Sequence, residues 1–94
     1  MSDVKKKRIL LVEDDVLTAM AKRRTLEDAG YELYVAYSGE QALDVVAGAS
    51  IPHLILMDID LGKGIDGTET ARRILEEYNL PIVFLSSHAE PEIV

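Results

Sequence analysis

Ninety-four residues with 17 acidic and 10 basic side chains, a formal charge of −7, make one domain at most. The absence of cysteine excludes a disulfide framework, a thiolate metal centre and a thiol nucleophile, and fits a reducing compartment. A hydrophobic content of 48% suffices for one modest core and is too high for disorder, while no apolar run approaches the roughly 18 residues a membrane span needs.

Residues 1–8 carry Lys5, Lys6, Lys7 and Arg8 without an apolar stretch, so they read as a solvated basic leader, not a signal peptide, and the protein as cytoplasmic. From Ile9 onward 16 acids face 6 bases, a balance that repels phosphate backbones and argues against nucleic-acid binding. Ile9, Leu10, Leu11 and Val12 form a continuous apolar run that stops at Glu13, Asp14 and Asp15, the pattern of a strand covered on both faces. Residues 15–29 lack Gly and Pro and are rich in helix formers, with Gly30 as a natural stop. Leu17, Met20, Ala21 and Leu26 do not share one face, so this helix is expected without a defined orientation.

Residues 32–36 read as a second strand, and Ser38 with Gln41 has capping-box form. Behind them Ala42, Val45, Val46 and Ala49 recur at helical spacing, until residues 48–52 break the helix. Residues 53–57 are a third, continuously apolar strand ending at Asp58, followed by a loop over 59–66 that holds Gly62 and Gly64. Asp66 caps a third helix whose expected inward stripe is Ala71, Ile74, Leu75 and Tyr78. Pro81 opens a fourth strand, Ile82, Val83, Phe84 and Leu85, which stops at Ser86, Ser87 and His88, with Ser87 and Glu90 set to cap another helix. The alternation implies an α/β fold, a mostly parallel open sheet with helices on both faces.

Three strands thus finish in polar groups: Glu13, Asp14 and Asp15 after the first, Asp58 after the third, Ser86 and Ser87 after the fourth. In open α/β sheets, ligands bind beyond the carboxyl ends of the strands. Carboxylates crowded at one rim repel each other, and a hard divalent cation such as Mg²⁺ relieves that repulsion. A carboxylate beside such a cation can attack phosphorus, and a nearby hydroxyl can bond the new phosphoryl oxygens. Each group also has a plainer use: Asp14 or Asp15 as a helix cap, Asp58 as a loop residue, Ser86 or Ser87 as a cap. The coincidence of three strands at one rim favours a site.

These residues resemble the receiver domain of two-component response regulators. The resemblance rests on Ile9-Leu-Leu-Val-Glu13-Asp14-Asp15, on Pro52 to the Asp58 that ends the third strand, on Asp66-Gly67, and on Pro81-Ile-Val-Phe-Leu-Ser86-Ser87. It implies a flavodoxin-like sheet of order 2-1-3-4 and a regulatory phosphoacceptor, with at most slow self-catalysed phosphorylation and dephosphorylation. Asp58 would take a phosphoryl group from a sensor histidine kinase or a phosphotransfer protein. Glu13, Asp14, Asp58 and the backbone carbonyl of Asp60 would hold Mg²⁺ or Mn²⁺. Ser86 would be the switch hydroxyl, and Asp60 and His88 would tune hydrolysis.

The chain departs from the family in the 59–66 loop, which is about one residue longer than usual and lacks its proline. The family also continues through a fifth strand ending in a lysine, for which Lys63 is no substitute, so residues 9–94 are expected to be a C-terminally incomplete receiver. Its fourth strand would then be an exposed apolar edge open to self-association. Two rivals remain. Asp58-Ile-Asp60 resembles the motif of haloacid-dehalogenase-type phosphatases, although Leu61-Gly62-Lys63 follows it where that family has Gly-Thr. A receiver-like binding module without phosphorylation is the other.

Overall fold

The computed structural model describes residues 6–62 and 64–85. In chain order it contains β1 (Arg8–Val12), α1 (Val16–Asp28), β2 (Glu32–Ala36), α2 (Gly39–Val46), β3 (Leu54–Asp58), α3 (Gly67–Glu77) and β4 (Ile82–Leu85). The strands form one four-stranded parallel sheet in the order β2-β1-β3-β4, as the resemblance implied. Residues 86–94, which include Ser86, Ser87, His88 and the expected last cap, lie outside the described residues, as do residues 1–5 and Lys63.

Local chemistry accounts for the element ends. The Asp15 side chain accepts the Leu17 N–H, so Asp15 caps α1 and Asp14 is left free of that role. Ser38 accepts the Gln41 N–H, and Gln41 reaches back to the Tyr37 N–H at 2.8 Å. Asp66 accepts the Glu69 N–H at 2.8 Å and caps α3. Gly30, at φ +103°, ends the turn after α1 where a side chain would be strained.

Alternation along the strands divides the core in two. Leu10, Val12, Ile55 and Met57 face α2 and α3, packing with Ala42, Val46, Leu61 and Ile74. Ile9 and Leu11 face the other way, against Ala19 of α1, with Leu26, Leu54 and Leu56 packed around them. Two details differ from the periodicity. Leu75 is exposed, because Thr70 together with Ala71 and Ile74 supplies the inward face of α3. Helix α2 ends at Val46, so Ala49 lies beyond it.

Helix α3 begins directly on the backbone of β3. The Gly67 N–H donates to the Ile59 carbonyl at 3.1 Å, and a Cβ at Gly67 would overlap the Asp58 carbonyl oxygen. Gly67→Ala is therefore expected to destabilise the fold by about 1–3 kcal/mol, despite the better helix propensity of alanine. Urea denaturation measures it, and an unchanged midpoint would show that this close approach relaxes freely.

Candidate functional site

Strand register creates the site. Val12 pairs with Met57, so Glu13 and Asp58 are the next residues across the β1 and β3 ladder. Alternation places Glu13 with Ile9 and Leu11, and Asp58 with Leu54 and Leu56, on the α1 side of the sheet. The ladder continues past β1, since the Glu13 N–H donates to the Ala36 carbonyl at 2.9 Å. Both side chains are therefore fixed at the carboxyl-end rim, each only 2% exposed. Asp14, one residue further, is exposed and completes the cluster. One oxygen from each of Glu13, Asp14 and Asp58 lies within 4.8 Å of the others.

The loop after β3 closes over this group. The Asp60 N–H donates to Asp58 Oδ1 at 3.1 Å, while Asp58 Oδ2 is buried with no hydrogen-bond partner among the described residues. Gly62, at φ +51°, passes so close to Asp14 that a Cβ there would stand 2.7 Å from its Oδ2. Glu13 is held differently. Its Oε1 accepts the Lys22 ammonium at 2.9 Å and its Oε2 accepts the Asp15 N–H at 3.3 Å.

These surroundings separate the two buried carboxyls. Burial raises the Asp58 pKa above the ordinary aspartate value. The Asp60 amide opposes that rise, and the negative charges of Glu13 and Asp14 add to it. Burial also pushes Glu13 upward, but Lys22 and the Asp15 amide outweigh it and hold Glu13 below the ordinary glutamate value. A buried oxygen unpartnered among the described residues, beside two further acids, suits a hard cation of oxygen preference, and the donor set of Glu13, Asp14 and Asp58 fits one.

Of the residues picked out in the sequence, Glu13, Asp14 and Asp58 are brought together. Asp60 stands beside them through its backbone, with its side chain exposed. Ser86 and His88 lie outside the described residues. Lys22 was missed; its signal was a lysine three residues after Ala19 and four before Leu26, on the stripe that faces the sheet.

Asp58 binds its proton more tightly in the fold than in the unfolded chain, so metal-free stability falls as pH rises from about 4 through its raised pKa. Asp58→Asn is accordingly expected to melt about 5 °C above the metal-free parent at neutral pH, the response to roughly 1 kcal/mol in a domain of this size. The gap should close below pH 4, where both carry a neutral side chain; thermal melts across pH test this, and a gap that widens in acid would contradict it.

A model of the response regulator receiver domain family matches residues 9–94. Among solved structures, the chain is similar to the N-terminal domain of a response regulator/sensory box/GGDEF three-domain protein from Carboxydothermus hydrogenoformans. The two share 45% identity and a TM-score of 0.84, over 94% of this chain and 70% of that one. Response regulator TrrA from Thermotoga maritima, solved in complex with Mg²⁺–BeF, is 32% identical with a TM-score of 0.78, over 88% of this chain and 71% of that one. A fusion carrying the yeast Spc42 trimeric coiled coil matches at 46% identity and a TM-score of 0.86, over 97% of this chain, which spans 60% of the fusion's length. The sheet order, the acidic rim and the match over residues 9–94 agree: the chain belongs to the response regulator receiver domains, the phosphoacceptor signalling modules of two-component systems.

Proposed function

We propose that Asp58 is the phosphoacceptor of this receiver and that Glu13, Asp14, Asp58 and the Asp60 carbonyl form its divalent-cation site, for Mg²⁺ or Mn²⁺. The observation that carries the reading is the clustering of three carboxylates at the sheet rim, with the buried Asp58 Oδ2 unpartnered among the described residues. The proposed donor is a phosphohistidine on a sensor histidine kinase or phosphotransfer protein. An Asp58 oxygen forms the new bond to phosphorus while the bond from phosphorus to the histidine nitrogen breaks and its electron pair leaves with the nitrogen. When bound, the cation supplies the positive charge that offsets the carboxylates and the incoming phosphoryl oxygens.

The protein groups divide the remaining work. The Asp60 N–H fixes Asp58 through Oδ1, and Oδ2 has no partner among the described residues. Glu13, kept ionised, and Asp14 bring the charge that draws a cation to Asp58. Ser86 is proposed as the switch hydroxyl, and Asp60 and His88 as the groups that tune slow hydrolysis in a domain that is regulatory. Phosphorylation then biases a two-state equilibrium through its added charge. Residues 9–94 are proposed as the receiver unit and 1–8 as a basic leader, in a cytoplasmic protein. The outer edge of β4, where Val83 and Phe84 are 46% and 43% exposed, is proposed as a surface for self-association.

Incubation with acetyl phosphate and Mg²⁺, followed by intact mass measurement, is expected to add one phosphoryl group to the parent and none to Asp58→Asn. No gain in a folded parent, or an equal gain in the variant, would refute the assignment. Sustained multiple-turnover hydrolysis of a phosphomonoester would instead favour the Asp58 and Asp60 phosphatase reading. Val83→Lys is expected to abolish any concentration-dependent dimer seen by light scattering, because a lysine on the strand edge opposes strand addition.

A further inference from the structure

Helix α1 meets the sheet along a short stripe. Ala19 is buried, Leu26 packs on the same face, and Lys22 lies between them. A lysine on an inward stripe is unfavourable unless its ammonium finds a partner. Here Nζ donates to Glu13 Oε1 at 2.9 Å, the carboxylate being 2% exposed and the lysine 31%. Among the described residues, no other base forms an ion pair with Glu13, Asp14 or Asp58. With Oε2 accepting the Asp15 N–H, both Glu13 oxygens are engaged. A cation that draws on Glu13, directly or through water, therefore meets a carboxylate already held by a full positive charge.

We propose that Lys22 is the built-in counter-ion of the acidic site, competing with the divalent cation for Glu13 and so setting the cation affinity of the site. This rests on the reading of Glu13, Asp14 and Asp58 as cation ligands. Lys22 acts through Glu13 and is a positioning residue. Its stem borders an open groove with Ala21, Thr25, Leu26, Leu56 and Leu85, so the ammonium can turn to water when displaced while the methylenes keep their apolar contacts. The competition is purely electrostatic and involves no covalent step.

The test is Mn²⁺ binding, measured by electron spin resonance with Mg²⁺ as competitor, on the parent, Lys22→Met and Arg23→Met. Arg23 pairs with Glu27 on the exposed face, so its variant removes an equal charge away from the site. Lys22→Met is expected to bind Mn²⁺ about tenfold or more tightly, as loss of a unit charge a few ångströms from a divalent ion implies. Arg23→Met should change affinity less than about threefold, its charge being solvated and screened. A merely structural Lys22 would leave affinity unchanged or weakened on substitution, and either result overturns the proposal. Should Lys22→Met fail to fold, the Lys22 ammonium resonance of the parent decides the matter: it should lose its Glu13-bonded shift as Mg²⁺ saturates the site, and an unchanged resonance at saturation is equally fatal. Absence of binding by both parent and variant would overturn the cation reading together with the proposal, whereas equal binding by both removes the proposal alone.

Discussion

Two nearly fully buried carboxylates and a third exposed one, with oxygens within 4.8 Å of each other, are an arrangement that folding alone does not favour. Like charges at that separation repel, and burial removes the water that would screen them. Among the described residues three local donors answer: the Lys22 ammonium and Asp15 amide on Glu13, and the Asp60 amide on Asp58. The buried Asp58 Oδ2 receives nothing from the described residues. The protons follow the same division, since Glu13 is held ionised and Asp58 is pushed toward its neutral form. The buried oxygen left without a donor among the described residues therefore belongs to the carboxylate that the proposed chemistry uses.

What holds the acids there is the apolar part of the sheet. Apolar side chains on both faces bury β1 and β3 between the helix layers, Ile9 and Leu11 on the α1 side and Leu10 and Val12 on the other, with Val12 beside Met57. The same register sets Glu13 across from Asp58. Behind them, Gly67 lets the first turn of α3 rest on the Asp58 carbonyl, and Gly62 lets the loop pass against Asp14. The core thus fixes where the charges lie, and two glycines decide how closely backbone can surround them.

Most of this was legible because it is written in short-range patterns. Continuous apolar runs marked β1, β3 and β4, and Asp15, Ser38 and Asp66 cap helices as their side chains suggest. The choice between Asp14 and Asp15 as cap could not be made from sequence, since either carboxylate reaches a first-turn amide and only the backbone path separates them. Helix α1 was unreadable in orientation for a related reason. Its inward stripe is Ala19, Lys22 and Leu26, so a periodicity search that counts only apolar residues loses the middle position. Leu17 and Met20, which such a search does count, are 77% and 60% exposed. Lys22 becomes intelligible once the buried acid opposite it is known, and that pairing spans two elements.

The weak apolar anchoring of α1 gives the ion pair a second consequence. Helices α2 and α3 bury Ala42, Val46, Ala71 and Ile74, whereas α1 fully buries Ala19 alone, with Leu26 in partial cover. The Lys22 contact to Glu13 adds to this apolar seam a link between α1 and the end of β1. Whatever draws Glu13 away from Lys22 lowers the free energy needed to open α1 locally, while α2 and α3, packed on the opposite face, are untouched. The Lys22 side chain thus belongs at once to the acidic rim and to the contact between α1 and the sheet.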